Sequence, residues 1–184
     1  MPAIVHGMTE RLELVIPERR IRARVAALAR RIDADYRGKK LSLVVVLKGA
    51  CIFAADLMRW ITIPFTIDFI AAASYGAGTR SSGNVALSGL DGLDLAGRHV
   101  LVVEDILDTG RTSAALLDRL RLCEPANLAL CTLLRKPAAA ALDLPVAYAG
   151  FDIPDDFVVG YGMDYAERHR NLRGIHRLIF DDGG

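Results

Sequence analysis

Apolar and polar positions along the chain follow two periods, one typical of helices and one typical of buried strands. Leu41 to Leu47 is a mostly apolar run rich in Val, the pattern of a strand buried on both faces of a parallel sheet. Pro17 is suited to a first helical turn, and apolar residues recur at helical spacing from Ile21 to Ile32. The same reasoning predicts strands at 65–69, 99–103, 128–134, 146–149 and 157–161, and helices at 50–60 and 113–122.

Strands that alternate with helices predict right-handed βαβ units and a doubly wound, parallel α/β sheet. We find no internal repeat and no linker that would divide the chain, so residues 1–184 are expected to form one domain. Residues 74–97 differ from the rest because Ser and Gly dominate there and leave little material for a core.

Composition narrows the class of protein without identifying it. The chain has 184 residues, of which 52% are hydrophobic and 24% charged, which argues against wholesale disorder. With 23 basic and 22 acidic residues, the net charge of +1 gives no bulk attraction to nucleic acid or to a membrane surface. The arginines of the first helix could touch RNA, but no aromatic residues are interleaved with them, so a solvated face is favoured.

The cysteines indicate the compartment. Cys51, Cys123 and Cys131 are odd in number, widely spaced and not part of a CxxC pair, which disfavours zinc and a disulfide framework. We expect buried thiols in a reducing cytoplasm. Neither a signal peptide nor an apolar run long enough for a membrane span is evident, so we predict a cytoplasmic protein.

The segment that indicates chemistry begins where a buried strand runs into Glu104 and Asp105. Asp108 follows, and then Thr109-Gly110-Arg111-Thr112 opens a helix. Open α/β sheets bind ligands at the carboxyl ends of their strands, and a helix N-terminus with a glycine forms a phosphate cradle. The lysine of a Walker A loop is missing.

Three carboxylates beside a phosphate require compensation. Like charges in contact repel by roughly 1–4 kcal/mol per pair, depending on the local dielectric. A divalent cation, hydroxyl donors or a raised pKa could supply that compensation, and a sugar phosphate bound with Mg²⁺ fits better than a bare nucleotide phosphate. The alternative interpretation is that Glu104 and Asp105 only cap the following turn and that Asp108 is a helix N-cap.

Residues 104–112, preceded by four apolar residues, closely resemble the phosphoribosyl-pyrophosphate (PRPP) motif of the type I phosphoribosyltransferases. Leu47-Lys48-Gly49 is similar to the pyrophosphate loop of that family, and Ser74-Tyr75-Gly76 to the start of its mobile lid. Residues 135–137 and 157–165 resemble the purine-contacting segments of the hypoxanthine-guanine branch. These matches run from 47 to 170 in the order of the family.

The resemblance implies a purine-salvage enzyme that joins a 6-oxopurine to PRPP, giving a nucleoside monophosphate and pyrophosphate with Mg²⁺ as cofactor. It also implies a core at about 37–150, a hood from the N-terminal segment and about 151–184, and a mobile lid at about 74–97. A homodimer or homotetramer is expected, with no nucleic-acid or membrane partner. Two alternatives stay open: a PRPP-binding regulatory protein that acts on nucleic acid, and a transferase for another base such as xanthine.

The resemblance also assigns roles at the ribose and phosphate end. Glu104 and Asp105 would hold the ribose hydroxyls, directly or through Mg²⁺, and residues 108–112 would bind the 5′-phosphate. Asp108 would exchange a proton with N7 of the purine, a general acid/base role. Arg111 lies inside the cradle, where it either adds phosphate affinity or faces solvent.

At the pyrophosphate end, the resemblance gives contacts to Lys48, Gly49 and Arg170, with Ser74 and Tyr75 reaching the same group from a closed lid. A closed lid would exclude the water that traps an oxocarbenium-like centre.

At the base end, Lys136 would donate to O6 of the purine, Phe157 would stack on the ring and the Val158 backbone would read its far edge. Asp164, grouped with these purine contacts, would also bind a second Mg²⁺. The simpler interpretations are that Phe157 is a core aromatic, Lys136 a surface lysine and Asp164 a turn residue.

Overall fold

The computed structural model describes residues 4–5, 8–74, 85–138 and 143–182. Their strands form two sheets, one of six strands and one of four. The elements in chain order are β1 (Ile4–Val5), β2 (Met8–Ile16), α1 (Glu18–Asp35), β3 (Leu41–Leu47), α2 (Cys51–Trp60), β4 (Phe65–Ser74), β5 (Val85–Ser88), β6 (His99–Leu107), α3 (Arg111–Arg121), β7 (Asn127–Arg135), β8 (Val146–Asp152), β9 (Val158–Val159) and β10 (Ile175–Asp182).

The six-stranded sheet has the order β5-β4-β3-β6-β7-β8 and is parallel except for β5, which pairs antiparallel with β4. Successive residues of β3 point to opposite faces of the sheet. Leu43 and Val45 belong to the hydrophobic cluster that contains the buried residues of α1 and α2, whereas Val44 and Val46 belong to the cluster of α3. Helices therefore cover both faces, which confirms the predicted doubly wound α/β sheet.

The second sheet joins the two ends of the chain. Its order is β1-β2-β10-β9, and β10 pairs antiparallel with β2 along almost its whole length. Sequence analysis assigned no strand to β2 or β10, although it expected the two terminal segments to form a hood together. The loop between β9 and β10 (residues 160–174, the hood loop) carries Gly162, Met163 and Arg170 to the carboxyl edge of the large sheet.

Several strands and helices begin or end at residues other than those predicted from the sequence. The strand expected at 99–103 continues to Leu107, because its parallel pairing with β7 runs through Glu104 opposite Thr132 and Ile106 opposite Leu134. The first two carboxylates thus lie within the strand rather than after it. The following helix begins at Arg111 instead of 113, and the strand expected at 65–69 reaches Ser74. The strand expected at 157–161 contains only Val158–Val159, because the chain turns at positive φ at the next two residues.

The expectation of three buried thiols was wrong for Cys51. This residue is exposed at the start of α2, whose inner face is formed by Phe53, Ala54 and Leu57. Cys123 is half-buried and only Cys131 is buried. None of the three forms a disulfide.

The arginines of α1 partly cover aromatic rings. The guanidinium carbons of Arg20 and Arg24 lie 5.7 and 5.3 Å from the centre of the Phe151 ring, and that of Arg31 lies 5.2 Å from the centre of the Tyr148 ring. Cation–π contacts of this kind give these charges a role in packing against β8. In the part of the chain that the structure describes, no helix combines the length and the apolar character needed to cross a membrane.

Candidate active site

A cavity of about 660 Å³ lies at the carboxyl ends of β3 and β6, the edge where parallel sheets bind ligands. A smaller cavity of about 220 Å³ adjoins it and shares the walls formed by Gly49, Asp105 and Asp108. A separate cavity of about 470 Å³ between α1 and α2 contains none of the predicted site residues. The two joined cavities are therefore the candidate site.

The structure brings together most of the predicted site residues. The larger cavity is lined by Lys48, Gly49, Asp105, Asp108, Lys136, Phe157, Val158, Asp164 and Arg170. The smaller one is lined by Glu104, Asp105, Asp108, Thr109, Gly110 and Thr112. Arg111 lines neither cavity and is exposed at the first position of α3. Ser74 is the last residue of β4, and Tyr75 lies outside the described residues.

Two carboxylates form the wall of the smaller cavity. Glu104 is buried, and its Oε2 accepts a hydrogen bond of 2.6 Å from the Ser113 hydroxyl, whereas its Oε1 is buried with no partner among the described residues. Burial raises the pKa of Glu104 to about 7 and that of Asp105 to about 6. A carboxylate pair of this kind is poorly compensated by the protein and is suited to a cation or to hydroxyl donors.

Glycines allow three segments to meet at Asp105. A Cβ atom on Gly49 would fall within the Asp105 carboxyl group, so only glycine fits there without displacing that side chain. Gly162 has a φ of 103°, and a Cβ atom on it would collide with the carbonyl oxygen of Gly49. The peptide between Leu47 and Lys48 is cis. The hood loop therefore packs on the loop after β3, and that loop packs on the carboxylate.

The predicted phosphate cradle has the geometry of a helix start. Gly110 adopts a φ of 75° and is the N-cap of α3, and Thr109 precedes it at the cavity wall. The first backbone N–H groups of a helix have no partner within the helix, and the helix dipole favours an anion there. This end of α3 can thus bind a phosphate beside the two carboxylates.

Lys136 and Phe157 occupy the opposite end of the larger cavity. Lys136 is only 8% exposed, and its Nζ lies 3.2 Å from Asp108 Oδ1 and 3.0 Å from Asp155 Oδ1. Burial alone would lower the pKa of Lys136, but the hydrogen bonds with these two carboxylates raise it. Phe157 is 50% exposed and meets Tyr165 edge-on at 5.7 Å between ring centres. Lys136 is thus no surface lysine, and Phe157 is no core aromatic.

The predicted pyrophosphate contacts form a network of ion pairs. Arg170 Nη2 lies 2.8 Å from Asp164 Oδ1 and 3.2 Å from Glu167 Oε2, and Lys48 Nζ lies 3.0 Å from Glu167 Oε1. The Lys48 ammonium and then the Arg170 guanidinium lower the pKa of Glu167. Asp164 also accepts a 2.8 Å hydrogen bond from the Glu167 backbone N–H, so its carboxylate both pairs with Arg170 and shapes the turn.

Sequence reasoning missed three polar residues of the site: Ser113, Asp155 and Glu167. Ser113 lies one residue beyond the recognised motif and touches the carboxylate nine positions earlier. Asp155 precedes Phe157 by two positions, and its contact with Lys136 arises only because β7 and the chain after β8 end side by side. Glu167 stands between Asp164 and Arg170, which were both singled out, and that position was the one available signal.

Comparisons with known proteins agree on one family. The model of the phosphoribosyl transferase domain matches residues 17–166. The hypoxanthine phosphoribosyltransferase of Haemophilus influenzae is 45% identical over 175 residues, which cover 93% of this chain and 97% of that protein. The hypoxanthine-guanine phosphoribosyltransferase of Mycobacterium tuberculosis is 46% identical over 189 residues, covering 96% of this chain and 93% of that protein.

A solved structure gives the same result for the fold. The crystal structure of a hypoxanthine-guanine phosphoribosyltransferase from Bacillus anthracis superimposes with a TM-score of 0.85 at 43% identity. The match covers 91% of this chain and 98% of that one.

The buried Glu104 predicts a pH-dependent stability. Because its pKa is about 7 in the folded state, above its usual 4.5, the folded protein retains a proton that the unfolded chain releases between these values. The free energy of unfolding, measured by urea titration in EDTA, should therefore fall from pH 5 to pH 8. Glu104→Gln should remove a part of that fall on the order of 2 kcal/mol.

Asp152→Asn is the control for this measurement. Arg135 lowers the pKa of Asp152, so its contribution is lost only as the pH falls through the lowered pKa, and the variant should shift stability by a constant amount between pH 5 and 8. Parallel curves for the wild type and Glu104→Gln would contradict the assignment.

Proposed function

The chain belongs to the phosphoribosyl transferase domain family, and from that premise we propose that it transfers the 5-phosphoribosyl group of PRPP to a 6-oxopurine. Hypoxanthine and guanine are the proposed acceptors, and IMP or GMP and pyrophosphate are the products. The chain would thus act in purine salvage as a pentosyltransferase.

One observation carries this proposal: Asp108 lies next to the phosphate cradle and also contacts Lys136 among the purine contacts. Asp108 lines both cavities, next to the cradle residues in the smaller one and within 3.2 Å of the Lys136 ammonium in the larger one. A ribose bound between these two ends would have its 5′-phosphate at α3 and its C1′ towards the base. That order of groups is the order of a nucleotide.

The ribose and its phosphate are bound by the end of β6 and the start of α3. Glu104 Oε1, which has no partner in the described part of the chain, and the Asp105 carboxylate accept from the two ribose hydroxyls. Thr109, Gly110 and Thr112 surround the 5′-phosphate with backbone N–H and hydroxyl donors. Arg111, which is exposed and lines neither cavity, adds at most a distant positive charge.

Asp108 is the proposed general acid/base. Its carboxylate faces the larger cavity, where it accepts the N7 proton of the incoming purine as N9 forms the bond to C1′ and pyrophosphate leaves. In the reverse direction the same group returns that proton. Lys136 contacts this carboxylate and orients it towards the base.

Recognition of the base rests on a buried donor and an exposed ring. The Lys136 ammonium donates to O6 of hypoxanthine or guanine, whereas the amino group of adenine offers no acceptor at that position. Asp155 keeps a second contact to Lys136, so the ammonium stays in place when Asp108 turns to N7. Phe157 offers its open face to the purine ring, and the Val158 backbone reads the opposite edge.

The residues present fit Mg²⁺. The structure groups no three potential ligand side chains within its described residues, and Mg²⁺ usually takes one or two carboxylates together with phosphate oxygens and water. Glu104 and Asp105 would hold one ion through the ribose hydroxyls, and Asp164 a second one at the pyrophosphate. When bound, the metal neutralises charge on the leaving pyrophosphate.

Lys48, the Gly49 backbone and Arg170 are the proposed contacts of the pyrophosphoryl group. Both cationic side chains line the larger cavity close to Asp164. Ser74, the last residue of β4, follows Ala72, another wall of that cavity, by two positions, which supports a role for Ser74 and Tyr75 at the same group once a lid closes. Closure would exclude water from C1′.

The proposal extends to the state of the protein in the cell. We propose one working domain, with the core, hood and lid at the boundaries given from the sequence, in a reducing cytoplasm. Three cysteines without a disulfide support that location. A homodimer or homotetramer follows from family resemblance, and light scattering after size exclusion tests it.

A panel of bases tests the proposed reaction. We expect nucleotide formation from PRPP, Mg²⁺ and hypoxanthine or guanine, and none with adenine or uracil. The absence of turnover with every 6-oxopurine would refute the proposal. Turnover with xanthine alone would select the alternative transferase, and PRPP-dependent binding of RNA or DNA without turnover would select the regulatory protein.

Asp108→Asn tests the acid/base role. The amide keeps the size of the side chain but cannot accept the N7 proton, so turnover should fall roughly 10²–10⁴-fold. Binding of PRPP, measured by calorimetry, should change much less. Turnover equal to that of the wild type would remove Asp108 from the mechanism.

Lys136→Ala tests the selection of the base. The variant should raise the KM for hypoxanthine by at least tenfold, because O6 loses a charged donor, and it should leave the KM for PRPP within about threefold. Lys40→Ala removes an exposed lysine outside both cavities and serves as the control. A parallel loss of affinity for both substrates would show that Lys136 supports the fold instead of reading the base.

A further inference from the structure

Glu167 occupies the position of an anion in the candidate site. Its two carboxylate oxygens divide between the two cations: Oε1 lies 3.0 Å from Lys48 Nζ, and Oε2 lies 3.2 Å from Arg170 Nη2. Lys48 follows β3, whereas Arg170 belongs to the hood loop, so one carboxylate joins two separate walls of the cavity. The side chains of Lys48 and Glu167 are 70% and 67% exposed, so a solute anion can reach them.

The backbone holds Glu167 there in an unfavourable conformation. Tyr165 and Arg168 exchange backbone hydrogen bonds of 3.1 and 3.0 Å, which closes a hairpin with Ala166 and Glu167 at its tip. Both tip residues have positive φ, 49° and 61°. Turns of this kind strongly favour Asn-Gly, and a side chain longer than that of Asn is disfavoured in them.

The partners of Arg170 restrict the geometry further. Its Nη1 donates to the Gly162 carbonyl oxygen at 2.8 Å, and its Nη2 lies 2.8 Å from Asp164 Oδ1, so the guanidinium is fixed on one side. Glu167 Oε2 lies 3.2 Å from that same Nη2. The Glu167 carboxylate thus shares Nη2 of Arg170 with Asp164 and also contacts the Lys48 ammonium.

We propose that Glu167 is an internal competitor for the pyrophosphate site. Its carboxylate neutralises Lys48 and Arg170 while the site is open, gives way to the pyrophosphoryl group of PRPP, and returns when pyrophosphate leaves. This inference rests on the proposed function, because it takes Lys48 and Arg170 to be the pyrophosphate contacts. In this role Glu167 limits the affinity of the site for the pyrophosphoryl group and aids the release of pyrophosphate.

The size of the effect follows from the exposure of the pairs. Exposed ion pairs are individually weak, and two of them correspond to roughly three- to tenfold in a dissociation constant. Removing the carboxylate also removes its repulsion of the bound anion, an effect of the same sign. Both effects predict tighter binding when Glu167 loses its charge.

The test is calorimetric titration of the protein with inorganic pyrophosphate in the presence of Mg²⁺. Glu167→Gln should lower the Kd for pyrophosphate about three- to tenfold and lower the KM for PRPP by a similar factor, with the KM for hypoxanthine unchanged. Glu167→Ala should act in the same direction. The control is Asp118→Asn, which makes the same change in net charge at an exposed ion pair with Arg121 on α3, outside both cavities, and should leave the Kd unchanged.

Two outcomes overturn the inference. One is a Kd for pyrophosphate in Glu167→Gln that equals or exceeds that of the wild type, and the other is an equal gain in affinity in Asp118→Asn, which would mark an effect of net charge. A wild type that forms nucleotide but fails this test refutes only the competitor role. A wild type that neither binds pyrophosphate nor forms nucleotide refutes the proposed function itself.

Discussion

The structure depends on the burial of two adjacent carboxylates at the end of a central strand. Glu104 extends the parallel pairing of β6 with β7, and among the described residues its side chain has one hydrogen-bond partner, the Ser113 hydroxyl. Such a pair is costly without an external partner. Its neighbours are arranged around that partner. The start of α3, which favours an anion, lies on one side, and on the other side Gly49 lets the loop after β3 approach Asp105 while Gly162 lets the hood loop pack on Gly49.

Most of the fold follows from the sequence because buried parallel strands are apolar without interruption, as at Leu41–Leu47. The strands of the hood, β2 and β10, were not predicted because their sequences contain no such uninterrupted apolar run. β2 lacks a regular alternation of apolar and polar residues, because Glu10-Arg11 and Val15-Ile16 interrupt it, and β10 pairs with it across 159 to 174 positions of sequence, a contact that no local pattern reveals. The end of β6 was also misplaced, since carboxylates are rare within a central strand.

The candidate site likewise contains residues that the sequence predicts and residues that it does not. Contiguous residues, such as 104–112, could be recognised because one short segment contains a strand end, the acids and a helix start. Asp155 and Glu167 could not, because their roles arise from contacts with Lys136, Lys48 and Arg170, which lie on other segments. The site thus combines a motif that can be recognised in the sequence with ion pairs that form only when distant segments meet in the folded protein. In these ion pairs, carboxylates of the protein contact the lysine and arginine side chains that are proposed to bind the substrates.

The central claim is that a single ribose phosphate spans Glu104, the cradle of α3 and the base contacts at Lys136. A crystal structure with Mg²⁺, PRPP and a 6-oxopurine analogue that cannot form the glycosidic bond tests it most directly. The account predicts ribose hydroxyls against Glu104 and Asp105, the 5′-phosphate at residues 108–112, and O6 within hydrogen-bond distance of Lys136 Nζ. A ribose phosphate bound elsewhere, or a purine whose O6 faces away from Lys136, would contradict it.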